Sequence, residues 1–172
     1  MKFSKKSAAI FSALSALIVS PFVMAGSASA QSFQPNGMSG SYLGGGVSVG
    51  VSDDAVVGGN VQVRLNSSEA PISLRGAALI SGNSTAIVPT LTYDAAIAPN
   101  TNLYAGAGYS LVTDKGFNSP LGDKDSVVLT AGLETAVQRH ITLYGDVKVG
   151  LDAFENSNDA AVSAQLGAAY RF

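Results

Sequence analysis

The sequence predicts an all-β fold, with eight antiparallel strands closed into an up-and-down transmembrane β-barrel. Three observations carry this. Apolar and polar residues alternate through nearly all of residues 41–172, the period of a strand with two unlike faces. The strand-like runs are about ten residues or longer and recur roughly every 16 residues. Soluble sandwiches place strands about 8 to 12 residues apart, while a tilted strand needs about 9 to 11 residues to cross a bilayer. Lastly, the charged face is also rich in glycine, which suits a crowded interior better than a solvated surface.

The chain opens with Lys2, Lys5 and Lys6, followed by an uncharged, mostly apolar run over 8–25. "SASA" comes next, and Ala28-Ser29-Ala30 fits a small-residue cleavage site before Gln31. Residues 1–30 are therefore expected to be a secretory signal peptide, and 31–172 the barrel domain. Without the signal lysines there are seven basic and twelve acidic residues, a net charge of −5. That argues against nucleic acid as a partner and against anionic head groups as the main one. There is no cysteine, so the exported fold is not held by disulfides and no lipoprotein attachment follows cleavage. After residue 25 no apolar run approaches the roughly 20 residues of a membrane helix.

The first strand is expected at 41–51, where Leu43, Val47 and Val49 alternate with Tyr42, Gly44 and Ser48. "SDDAVVG" separates it from 59–65, where Val61, Val63 and Leu65 alternate with Gln62 and Arg64. After "NSSEAP", 72–81 sets Ile72 and Leu74 against Ser73 and Arg75. "SGNS" leads to 85–97, with Leu91, Tyr93 and Ile97 against Thr90, Thr92 and Asp94. "APNTN" precedes 101–112, with Leu103, Ala105, Ala107, Tyr109 and Leu111 against Tyr104, Gly106, Gly108 and Ser110. The longest connection, "TDKGFNSPLGDK", leads to 126–138, where Leu129 and Leu133 alternate with Thr130, Gly132 and Glu134. Strands at 140–152 and 160–172 close the set.

The seventh of these poses the central question. "YGDVKVGLD" (144–152) has Tyr144, Asp146, Lys148 and Asp152 on one parity and Val147, Val149 and Leu151 on the other. In a soluble barrel the valines would be the core; in a membrane barrel they meet lipid and the charges meet the lumen. The second assignment is expected. An interior charge network then comprises the bases Arg64, Arg75, Lys148 and Arg171 and the acids Asp94, Glu134, Asp146 and Asp152. Glu134 and Asp94 are expected to pair with Arg75, Arg64 or Arg171, and Asp146 with Lys148 or another base. Tyr42, Tyr104 and Tyr144 begin strands at the end holding both termini, and are expected to plug that half. Ser48, Gly50, Ser110, Gly150 and Ser163 leave the other half as a shallow wet vestibule. With both termini periplasmic, connections at 66–71, 98–101 and 138–140 are periplasmic and the others, including 113–125, extracellular.

"QLGAAYRF" (165–172) resembles the C-terminal strand of bacterial outer-membrane β-barrels, and "NLYAGAGYSL" (102–111) the Gly-rich strands of small eight-stranded barrels of the OmpA/OmpX type. The resemblance implies an outer-membrane location in a Gram-negative-type bacterium after export. It implies contact with outer-membrane lipid, and reading of Tyr170 and Phe172 by the barrel-assembly machinery as an assembly signal. Anchoring at the membrane interface accounts for the same two aromatics. The chain departs from the family in having no tryptophan and a thin aromatic girdle. No cofactor, metal site or enzymatic activity is expected. "DDAVVGG" and "DKD" lack calcium-loop spacing, and the single histidine, His140, lies in a periplasmic turn beside Arg139. The expected role is structural or surface-interacting. Two alternatives stay open: a narrow pore for small solutes, and a soluble periplasmic barrel binding a small apolar ligand.

Overall fold

The computed structural model describes residues 37–51, 55–67, 69–82, 84–113 and 119–172. The expected signal peptide at 1–30 lies outside them, as do Asp53, Asp54 and 114–118. Eight strands form: β1 (Tyr42–Gly50), β2 (Val56–Asn66), β3 (Ile72–Ile80), β4 (Thr85–Ala98), β5 (Thr101–Val112), β6 (Ser126–Gln138), β7 (Ile141–Leu151) and β8 (Ala161–Arg171). Each pairs antiparallel with its sequence neighbours, and β8 returns to β1, so the sheet closes into a barrel. Closure removes the unpaired edges that an open sheet presents.

The expected boundaries hold to within a residue or so, except at β2. It begins at Val56 because Gly50, Val49 and Ser48 of β1 pair with Val56, Val57 and Gly58. "AVVG" thus reads as turn in the sequence but finds its partners across the hairpin. The turns joining β4 to β5 and β6 to β7 are two residues each, Pro99–Asn100 and Arg139–His140. Asn100 takes φ 58°, a left-handed conformation that asparagine tolerates. Both hairpins carry a register shift beside the turn, at Ala96/Ala98 and Ala136/Gln138. These turns and the β2–β3 connection share one end with the start of β1 and the end of β8, here termed the turn end. The other connections form the loop end.

The outward face is apolar on every strand and carries no charged side chain. Leu43, Val57, Leu74, Leu91, Leu103, Leu129, Leu143 and Leu166 stand exposed on it, one on each strand in turn. Such a belt cannot face water as a continuous patch, and it is what a lipid-facing barrel surface requires. Pro89 lies within it, in the middle of β4. Its missing N–H coincides with a gap in the β4–β5 register, which passes from Ile87↔Leu111 to Thr90↔Gly108.

The inward face is layered. At the turn end Met38, Tyr42, Tyr144 and Ala169 cluster, and the rings of Tyr42 and Tyr144 stack at 5.9 Å. Inward glycines make room for the rings. A Cβ on Gly132 would lie 2.6 Å from Tyr104 Cζ, and one on Gly167 2.4 Å from Tyr144 Cζ. Toward the loop end the interior turns apolar, with Ala77, Leu79, Ala86, Val88, Val112 and Val128 packed beneath Leu121. This corrects the expected wet vestibule. Ser48, Ser110 and Ser163 are fully buried, because Leu121 and its neighbours reach inward from the longest connection and close the mouth above them.

Candidate functional site

The sheet builds the interior site from side chains on four strands, β2, β3, β4 and β6. Arg64 and Arg75 are register partners on β2 and β3. Two like charges directly opposite on a sheet repel. What makes the pairing tenable is a carboxylate from each side: Asp94 on β4 and Glu134 on β6, across the lumen. Arg64 Nη2 lies 2.7 Å from Asp94 Oδ2, and Arg64 Nη1 3.3 Å from Glu134 Oε1. Arg75 Nη2 lies 3.0 Å from Asp94 Oδ1, and Arg75 Nη1 2.9 Å from Glu134 Oε2. Charges therefore alternate around a closed four-membered ring, two against two.

Neutral groups satisfy the ring's remaining bonds. Arg64 Nε donates to Ser73 Oγ at 2.9 Å, and the Ser73 hydroxyl donates in turn to Asp94. Arg75 Nε donates to Thr92 Oγ1 at 3.0 Å, and its Nη1 to the Tyr42 hydroxyl at 2.8 Å. Its guanidinium also lies over the Tyr104 ring, 3.6 Å from the centroid, in cation–π geometry. All four charged side chains are at most 5 % exposed. A buried ionic group is tolerable only with hydrogen bonds this complete.

A second pair sits beside the ring. Lys148 Nζ donates to Asp146 Oδ1 at 2.7 Å, two residues away on the same face of β7. Asp146 Oδ2 accepts from the Tyr104 hydroxyl at 2.8 Å, which ties the pair to the ring through Tyr104. The Tyr144 hydroxyl instead donates to Asn60 Oδ1 at 2.5 Å.

Two residues expected in this network lie elsewhere. Asp152 follows the end of β7, takes φ 55°, and turns out of the lumen to pair with Lys124 of the long connection at 2.9 Å. The left-handed residue ends the alternation on which the inward assignment rested. Arg171 lies at the turn-end rim, where its guanidinium donates to the backbone carbonyls of Arg139 and Ser39 and, among the described residues, to no carboxylate. The interior of the described barrel therefore holds three bases and three acids.

Sequence reasoning missed the turn-end stopper. Met38 N donates to Asn102 Oδ1 at 3.0 Å, and Asn102 Nδ2 donates back to Met38 O at 2.7 Å and to Glu134 Oε1 at 3.0 Å. The segment before β1 is thus drawn into the barrel mouth and joined to the ionic ring. Its only sequence signal was the inward parity of Asn102. His140 sits in the β6–β7 turn with its ring stacked on Tyr170 at 5.4 Å, remote from the interior acids. Among the described residues no group of three or more His, Cys, Asp or Glu is placed to hold a metal.

A closed eight-stranded barrel with an uninterrupted apolar exterior and an ion-paired interior is the architecture of an integral outer-membrane β-barrel. The family described as "Outer membrane protein beta-barrel domain" matches residues 9–172, and the chain belongs to it. Its place is accordingly the outer membrane. No curated protein matches the chain in sequence. Among solved structures it resembles a de novo designed transmembrane β-barrel, with 17 % identity, TM-score 0.53, and coverage of 83 % of this chain and 100 % of that one. Neisserial surface protein A (NspA) aligns with 16 % identity and TM-score 0.53, covering 78 % of this chain and 98 % of that one. At these identities the likeness is one of fold.

Proposed function

We propose that the protein is a closed, non-catalytic barrel whose role is structural or, through its loop-end connections, surface-interacting. The observation that carries this reading is a lumen obstructed at three levels: Met38 with the tyrosines, the Arg64–Asp94–Arg75–Glu134 ring, and the apolar cap under Leu121. An eight-stranded barrel has an interior just wide enough for side chains to fill. The isolated position of His140 in a turn supports a role without catalysis. Conductance in planar bilayers, measured on the wild type and on Glu134→Gln, tests the reading. Negligible conductance in both, with a lower urea midpoint for the variant, is expected. Stable wild-type openings that Glu134→Gln alters would replace this reading with a narrow pore.

Residues 1–30 serve in this proposal as the export signal, and the outward belt meets outer-membrane lipid. Tyr170 and Phe172 are read by the barrel-assembly machinery; both are exposed at the C-terminal end of β8. Phe172→Ser is expected to lower the amount of heat-modifiable barrel in the membrane at unchanged synthesis. Unchanged assembly would leave these aromatics as interface anchors only.

A further inference from the structure

The β6–β7 turn carries His140 to the outside of the barrel at the turn end. Its ring stacks on Tyr170 of β8, with centroids 5.4 Å apart and planes 11° from parallel. Tyr170 is the register partner of Ile141, and both stand exposed on the apolar outward face. The imidazole is therefore held against the outer wall, at the border of the belt. Its Nδ1 lies 3.1 Å from the Arg171 carbonyl oxygen. A carbonyl can only accept, so Nδ1 carries the hydrogen, and in the neutral ring Nε2 is left as an acceptor. Nε2 has no hydrogen-bond partner among the described residues.

The charge at this corner is unbalanced. Among the described residues, Arg64, Arg75, Lys124 and Lys148 each pair with a carboxylate. The bases that remain are Arg139 and Arg171, and both are here. Arg171 points its guanidinium at the carbonyls of Arg139 and Ser39, which fixes the turn and leaves the charge uncompensated. Arg139 contributes its carbonyl to those bonds. Its own side chain is exposed and makes no hydrogen bond or ion pair among the described residues. The neighbouring turn at 99–100 and the segment 39–41 bring no acid to it. The corner thus offers an unpaired guanidinium and, on the next residue, an unpaired acceptor, at the edge of an apolar surface.

We propose that Arg139 and His140 bind the headgroup of an aminophospholipid, with the phosphate on the Arg139 guanidinium and the ammonium donating to His140 Nε2. Consecutive residues lie about 3.8 Å apart at Cα, and ethanolamine separates its two charges by a single ethylene unit, so one headgroup reaches both. The planar N–H fork of arginine matches the phosphate oxygens. The acyl chains lie along Ile141 and Tyr170. Phosphatidylglycerol offers neutral hydroxyls in place of the ammonium, and the chain's formal net charge of −2 gives an anionic lipid no long-range attraction. A choline headgroup has the phosphate but no N–H. The assignment deepens the reading of the belt as lipid-facing and rests on it.

Native mass spectrometry of the detergent-solubilised barrel, in mildly alkaline solution, compares lipids with the same acyl chains. The wild type should retain phosphatidylethanolamine about five-fold over phosphatidylcholine, equivalent to about 1 kcal/mol, the net worth of one hydrogen bond. The N,N-dimethyl derivative, which keeps one N–H, should still be favoured over phosphatidylcholine. His140→Phe keeps a ring to stack on Tyr170. It should abolish the preference and leave phosphatidylcholine binding unchanged. Arg139→Gln should weaken all the phosphate lipids alike. Both changes lie in an exposed turn, and heat-modifiable mobility checks that each variant is folded. Retention of phosphatidylglycerol above phosphatidylethanolamine would reduce the corner to bare cations and overturn the site. A phosphatidylethanolamine preference that survives His140→Phe would overturn it too. A barrel that stays in solution without detergent and retains none of the lipids would instead overturn the lipid-facing belt.

Discussion

Single residues decide whether this interior holds. Arg64 and Arg75 face each other across adjacent strands, so each depends on Asp94 and Glu134 for its burial. Glu134→Gln keeps the volume but leaves both guanidiniums short of a charge. Urea unfolding in detergent should show a loss of about 3 to 5 kcal/mol where the ring is fully desolvated. Glycines make a second residue-level prediction. Gly132→Ala would force its Cβ to 2.6 Å from Tyr104 Cζ and 2.5 Å from Asp146 Cβ, whereas at the outward Gly145 an added Cβ meets nothing closer than 3.4 Å. Overpacking of that kind costs about 1 to 3 kcal/mol. Gly132→Ala should therefore lower the urea midpoint and Gly145→Ala should leave it near the wild-type value. Equal effects would mean that Tyr104 yields without cost. Parity placed Asp94, Glu134, Asp146 and Lys148 inward from the sequence alone. It could not place Asp152, because one left-handed backbone angle ends the alternation, nor Arg171, whose partners are carbonyls of a turn and of the segment before β1.

At the scale of the element, the strands were legible because each carries its own two-residue period, and β5 and β6 match the expected spans residue for residue. β2 was shortened in the sequence reading because "AVVGG" has turn composition, and only β1 across the hairpin makes it a strand. The apolar cap was hidden for another reason. Leu79, Val88, Val112 and Val128 sit at inward parity, where they read as exceptions strand by strand; they become a cluster only when β3 to β6 curve around Leu121. The same alternation yields a test of the outward face. Val147 lies mid-strand on β7, while Ile141 opens that strand beside the turn. A lysine on the lipid face costs about 2 to 4 kcal/mol near the midplane and about 0 to 1 near the interface. Val147→Lys should reduce folding into lipid vesicles strongly and Ile141→Lys weakly. Equal tolerance of both would deny that this face meets hydrocarbon.

For the whole molecule the remaining variable is direction. The two turns of two residues and both ends of the described domain share one end of the barrel, while the longest connection lies at the other. Outer-membrane barrels keep short turns in the periplasm and longer connections outside. Lys124 should then face the exterior, with its ammonium engaged by Asp152 in a pair exposed enough for a reagent to reach. Arg139, in the β6–β7 turn, should face the periplasm. An Arg139→Lys variant places an amine there without altering charge. Intact cells treated with a membrane-impermeant amine label should be modified at Lys124 and not at position 139, while disrupted cells should be modified at both. Raising the ionic strength should speed labelling of Lys124, because salt screens an exposed pair such as Lys124–Asp152. Label at position 139 on intact cells, with none at Lys124, would invert the barrel. The apolar cluster around Leu121 would then face the periplasm instead of the outside.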